Sequence, residues 1–220
     1  GENPARWRGH LDKLLPAPSK VRKIKHHAAL SYSEIGAFMA DLRMRGAISA
    51  RGLEFLILTA ARTGEVIGAV WDEIDFAEGT WTIPADRMKS DKEHRTPLST
   101  KAVKVLEGMK GVRQSDYIFP GNRAKSPLSN MAFLQLLKRM DRGDLTAHGF
   151  RSTFRDWAAE HTNYPNEVAE MALAHAVGDK VEAAYRRGDL FDKRRQMMET
   201  WASYATAKTG EVVTLRKSSA

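Results

Sequence analysis

Apolar residues recur at helical spacing through most of this chain, and the places where they do not locate a small sheet. In IGAFMADLRMR, Ile35, Phe38, Met39 and Leu42 share one face of a 3.6-residue period, which predicts an amphipathic helix. Ser31 and Glu34 just ahead have the spacing of a capping box. LEFLILTAA is apolar nearly all round, as a central helix buried on every side would be, and Gly64 predicts a break before EVIGAVW. Helical spacing resumes in KAVKVLEGM, in NMAFLQLLKRM, from His148 to about Glu160, in NEVAEMALA and in KRRQMMETWASYA. Between these, DEIDFAEGTWTIP alternates around a turn at Glu78 and Gly79, and after the polar loop RMKSDKEHR the short TPLS reads as a further strand. The expected fold class is therefore mainly α with a small antiparallel β-sheet, an α+β domain. VVTL after Gly210 is a lone β-prone run whose pairing partner must be distant in sequence.

Residues 1–29 hold no lasting period. PAPSKVRKIKHH combines two prolines with Lys20, Arg22, Lys23, Lys25, His26 and His27, the composition of an extended basic linker. Across 220 residues, 35 Lys and Arg stand against 27 Asp and Glu, a net charge of +8, and this makes a polyanion such as DNA or RNA the natural partner. With no cysteine there is no disulfide framework and no thiolate metal site. The chain carries no long apolar run and no signal-peptide core near its start, so membrane insertion and secretion are not expected. It opens on Gly1 rather than Met, which suggests a processed or truncated piece of something longer.

A series of chemically competent residues runs along the chain: Arg62, Lys89, His148, Arg151, His175 and Tyr185. Arg62 follows the apolar helix, and Glu65 is placed three residues on to orient it. In HGFR a helix puts His148 and Arg151 on one face, pairing a fork of phosphate donors with a group that titrates near neutrality. Lys89 lies in the loop between two strands, with Lys92 as its competitor; His175 follows MALA at a helix end. Tyr185 precedes Arg186 and Arg187, so its hydroxyl would stand in a positive field. Each has an ordinary alternative: a surface ion pair for Arg62, a solvated lysine, a histidine satisfying helix carbonyls, a core tyrosine. The rival chemistry is a metal site at Asp72, Glu73 and Asp75, but strand alternation would place Asp72 opposite the other two.

Taken in order, ARTGEV with WDEIDF, WTIPADRMK with HRTPLS, HGFRSTFRDWAAE, MALAH and AAYRRGDLFDKRRQMMETWASY resemble the catalytic domain of tyrosine recombinases, in particular phage and genomic-island integrases. The resemblance covers about residues 30–205. It implies the tyrosine recombinase catalytic-domain fold and strand breakage through a 3′-phosphotyrosyl intermediate without metal or other cofactor. Arg62 matches the family's first arginine, Lys89 the β-hairpin lysine, His148 and Arg151 the His-x-x-Arg box, His175 the His/Trp position and Tyr185 the nucleophile. Lys20, Arg22, Lys23, Lys25, Arg186 and Arg187 are then expected to meet DNA. Such integrases carry upstream arm-binding and core-binding domains that are missing here, so residues 1–29 read as the interdomain linker and 30–205 as the catalytic domain. Residues 206–220 read as a tail whose VVTL docks in cis or on a neighbouring subunit. The implied partners are double-stranded attachment sites, a homotetramer on DNA with this piece monomeric alone, and a directionality factor, in a bacterial cytoplasm and at no membrane. The alternative is cleavage of the type IB topoisomerase kind, without strand exchange.

Overall fold

The computed structural model describes residues 3, 6, 11–14, 28–123, 125–175 and 188–207. After a short helical turn at Asp12–Leu14, the amphipathic stretch forms α1, Ile35–Arg43, and buries Ile35, Phe38, Met39 and Leu42. The capping box ahead of it does not form. Tyr32–Glu34 make a separate 3-10 turn that displaces the helix start to Ile35, and the Ser31 hydroxyl bonds Ser33 Oγ at 2.8 Å instead of capping the helix.

Helix α2, Ile48–Thr59, is the central helix, with every residue from Leu53 to Thr59 buried. That includes Glu54, 2% exposed, whose carboxylate accepts from Arg43 Nε and Arg51 Nη1, each at 2.6 Å. A carboxylate this deep requires such partners. The chain turns after α2 at Ala60, in the left-handed region at φ 50°, and not at Gly64, which lies inside α3, Thr63–Ile67.

The sheet is a three-stranded antiparallel meander of β1, Ile74–Asp75, β2, Thr80–Ile83, and β3, His94–Pro97. Trp81 pairs with Thr96 and Ile83 with His94. Gly79 at φ 56° makes the β1–β2 turn, a conformation that glycine adopts without strain. Trp81 is fully buried, its ring 5.2 Å from Phe55, so the sheet is seated on α2. Ahead of β1, Trp71–Glu73 form a 3-10 turn rather than strand.

The remaining helices close over α2. They are α4, Thr100–Lys110, α5, Ala132–Arg139, α6, Gly149–His161, α7, Asn166–Ala172, and α8, Phe191–Ala205. Helices α6 and α8 meet through Trp157 and Trp201, ring centroids 5.0 Å apart, and Trp201 Nε1 donates to Ile57 O of α2 at 2.7 Å. Thr146 Oγ1 accepts from Gly149 N and so starts α6. The basic residues Lys20, Arg22, Lys23, Lys25, Arg186 and Arg187, the nucleophile candidate Tyr185, and VVTL lie outside the described residues.

Residues 28–30 pass tightly over the start of α6: Thr153 Oγ1 donates to Leu30 O at 2.6 Å, and a Cβ on Gly149 would stand 2.1 Å from Ala28 O. Backbone cannot yield as a flexible side chain can. Gly149→Ala is expected to destabilise the protein by about 2 kcal/mol, read as a lower urea midpoint at unchanged slope.

Candidate active site

Arg62 opens α3 in extended backbone, so its side chain leaves from the end of a helix. Glu65 fixes it twice, accepting from the Arg62 backbone N–H at 2.8 Å and from Nη1 at 2.7 Å. Nη2 reaches the end of α7, donating to Ala174 O at 3.2 Å and Leu173 O at 3.4 Å.

Arg151, on the first turn of α6, is 4% exposed. Its Nη1 donates to Ala60 O at 2.5 Å and its Nη2 to Leu173 O at 2.7 Å. Burial, with Arg62 nearby, lowers its pKa to about 10, so the guanidinium remains charged at neutral pH. Ala60 and Ala174 both adopt left-handed backbone at φ 50°, and each follows the end of a helix. Two helix C-termini thereby present carbonyls, and the negative ends of their dipoles, to two guanidiniums.

His175 extends the network. Arginine can only donate, so the 3.1 Å contact from Arg151 Nη2 makes His175 Nε2 the acceptor, and Nδ1–H donates to Glu170 Oε2 at 2.7 Å. Glu170 also accepts from Arg155 Nε at 2.5 Å. Burial alone would raise the Glu170 carboxyl; the bonds from His175 and Arg155 outweigh it and hold the group below the usual carboxylate range.

The β2–β3 connection is tied to the same corner. Arg87 donates Nη2 to Glu65 O at 2.6 Å and pairs with Glu73, whose other oxygen accepts from Trp81 Nε1 at 2.9 Å. Glu73 is thus committed to the fold, and no cluster of three or more His, Cys, Asp or Glu suited to a metal occurs among the described residues. On the far side of β3, Arg194, 1% exposed, donates to Arg95 O at 2.6 Å and twice to Asp189 at 2.7 Å.

The structure joins Arg62, Arg151 and His175 directly, both arginines meeting at Leu173 O. Lys89 and His148 are exposed, Lys89 on the hairpin that Arg87 anchors and His148 at the N-terminal end of α6. Lys92 is exposed as well. Four residues around this corner went unread in the sequence: His94, Arg155, Glu170 and Arg194. Glu170 carried a faint signal, five residues before His175 across a helix end. His94 carried none, since a histidine inside the polar loop RMKSDKEHR reads as solvated.

His94 is the most perturbed of these. Burial, then the charges of Arg194, Arg62 and Arg151 against the opposing pull of Glu65, lower its pKa to about 4. A histidine neutral in the fold and titrating near 6.5 when unfolded binds fewer protons folded than unfolded between these values. Stability from this group is complete above about pH 6.5 and is lost as pH falls towards 4, by on the order of 2 to 3 kcal/mol. Denaturant titrations at pH 7 and 4.5 are expected to show a smaller acid loss in His94→Gln than in the unaltered chain.

Solved tyrosine recombinase catalytic domains share this fold. A lambda integrase dimer bound to a COC′ core site superposes with a TM-score of 0.56 at 17% identity, over 72% of this chain and 63% of that one. A lambda integrase tetramer bound to a Holliday junction gives 0.55 at 17%, over 76% and 50%. Residues 27–190 match the Phage integrase family, and the chain belongs to it. Relatives include prophage integrase IntA of Escherichia coli strain K12, 38% identical over 71% of this chain and 39% of that protein, and prophage integrase IntZ of the same strain, 34% over 83% and 46%. The chain spans less than half the length of these two relatives.

Proposed function

We propose that this chain is the catalytic part of a site-specific DNA recombinase, an integrase that cuts and reseals strands through a phosphotyrosine. The observation that carries the reading is the pair of guanidiniums, Arg62 and Arg151, fixed side by side on helix-end carbonyls. Their remaining N–H donors suit two non-bridging oxygens of one phosphate, and their charge offsets what builds there as phosphorus becomes five-coordinate. The family's relatives, and the DNA-bound neighbours with this fold, support the reading.

In the proposed reaction Tyr185 Oη attacks phosphorus, the bond to the 5′-oxygen breaks, and a 3′-phosphotyrosyl bond replaces it. The phenolic proton passes to His148, since a tyrosine with a pKa of about 10 needs an acceptor, and Lys89 protonates the departing 5′-oxygen. One phosphodiester is exchanged for another, so the bond energy is kept for resealing. His175 joins the phosphate when Arg151 Nη2 turns from it to an oxygen, its ring orientation fixed by Glu170 on Nδ1. The assignment of residues 1–29 as linker, 30–205 as catalytic domain and 206–220 as docking tail belongs to the same proposal. So do the tetramer on double-stranded attachment sites, the directionality factor and the cytoplasmic setting. Among the described residues no helix is long and apolar enough to cross a membrane.

Incubation with nicked duplexes carrying candidate attachment sites, followed by denaturing gels, tests this reading. Tyr185→Phe is expected to abolish the covalent adduct and leave DNA affinity nearly unchanged; an adduct that persists and maps to another tyrosine refutes the assignment. Relaxation of supercoils without strand exchange would favour topoisomerase-like cleavage. Arg62→Ala and Arg151→Ala are expected to slow adduct formation by about 100- to 1000-fold. Lys92→Ala should change the rate little, and a loss there equal to that of Lys89→Ala would move the hairpin role to Lys92.

A further inference from the structure

We propose that His94 is a further residue of the phosphate site, its imidazole hydrogen-bonding an oxygen of the phosphate that Arg62 and Arg151 hold. The proposal rests on the reading of this corner as the DNA-cleaving site. The fold fixes His94 from several directions. It opens β3 opposite Ile83, the fully buried last residue of β2. Arg87 ties the β2–β3 connection to α3 through Glu65 O, and Arg194 ties β3 to α8 through Arg95 O. The strand end is therefore enclosed between the elements that carry Arg62 and Glu65, on α3, and Arg194, on α8, with Arg151 of α6 also in electrostatic reach. On its own strand the neighbours are exposed, Glu93 and Arg95.

The ordinary alternative is a core histidine whose ring nitrogens are satisfied by the protein. Among the described residues none hydrogen-bonds this ring, and its nitrogens are not among the sealed, unpartnered atoms, which are the indole nitrogens of Trp71 and Trp157. The imidazole is partly buried at the strand end, and the charges of Arg194, Arg62 and Arg151 act on it. It is neutral there because burial and those cations oppose a further positive charge. A phosphate placed on the arginines reverses that field. The imidazole can then donate to an oxygen and bind a proton more readily, adding positive charge when negative charge is present.

Two measurements on the full 220-residue chain decide the matter. In the first, the ring signals of His94 are followed by NMR across pH 5 to 7 in chloride and in inorganic phosphate. Titration at higher pH in phosphate is expected; identical behaviour in both salts overturns the proposal. In the second, single-turnover adduct formation is compared for the unaltered chain, His94→Ala and His94→Gln. A loss of about tenfold or more is expected in His94→Ala, with substantial recovery in His94→Gln, whose amide can still donate. Cleavage at the unaltered rate in His94→Ala, or equal losses in both variants that follow their thermal midpoints, would overturn the proposal. Failure of the unaltered chain to form any adduct would count against the recombinase reading itself, and the phosphate titration would still decide whether His94 belongs to an anion site.

Discussion

A guanidinium at Arg151 that is 4% exposed, with no carboxylate among the described residues bonded to it, is the constraint on which the rest of this structure depends. A buried charge of this kind is costly unless oxygen atoms surround it. Here they are carbonyls from the ends of α2 and α7, together with the His175 ring. Each bond ties α6 to another element, so the charge that is hardest to bury is also what fixes three helix ends relative to one another. Carbonyls satisfy the cation without neutralising it, as a bonded carboxylate would. The carboxylates stand one step behind, Glu65 on Arg62 and Glu170 on His175, and the corner remains able to attract an anion.

The same arrangement explains why two alanines accept left-handed backbone. For a residue with a Cβ that conformation costs about 1 to 2 kcal/mol, and glycine is the usual occupant. At Ala60 and Ala174 the turned carbonyls accept from Arg151 and Arg62, bonds to charged donors that are stronger than neutral ones. Strain and cation are coupled. It also follows that the groups around the arginines are set by their neighbours: His175 is oriented by Glu170, Glu170 is kept ionised, and His94 is kept neutral.

A second buried arginine does comparable work at the other edge. Arg194 joins the start of α8 to β3 and grips Asp189 through both its backbone and its carboxylate. Asp189 lies four positions after Tyr185 in the sequence. Asp189 is thereby fixed, through Arg194, against the strand that carries His94. With Arg87 anchoring the hairpin to α3, the elements bearing Lys89, His94, Arg62 and Arg151 form one connected frame.

Periodicity alone determined most of the architecture: the helices around an α2 whose second half is apolar nearly all round and the meander with its turn at Gly79 follow from local spacing, because one buried face is enough to select helix or strand. The motifs around Arg62, Lys89, His148, Arg151, His175 and Tyr185 likewise identified the family, since their order is written along the chain. What local pattern could not supply was anything set by groups distant in sequence. The break expected at Gly64 falls at Ala60, because its carbonyl is held by an arginine from another helix. The capping box at Ser31 is lost to an intervening turn, and Glu73, offered as a metal ligand, is taken by Arg87 and Trp81. His94 reads as a solvated loop residue until the fold buries it within reach of the charges of Arg62, Arg151 and Arg194. Charge and burial at a site depend on which elements close over it, and only the tertiary structure decides that.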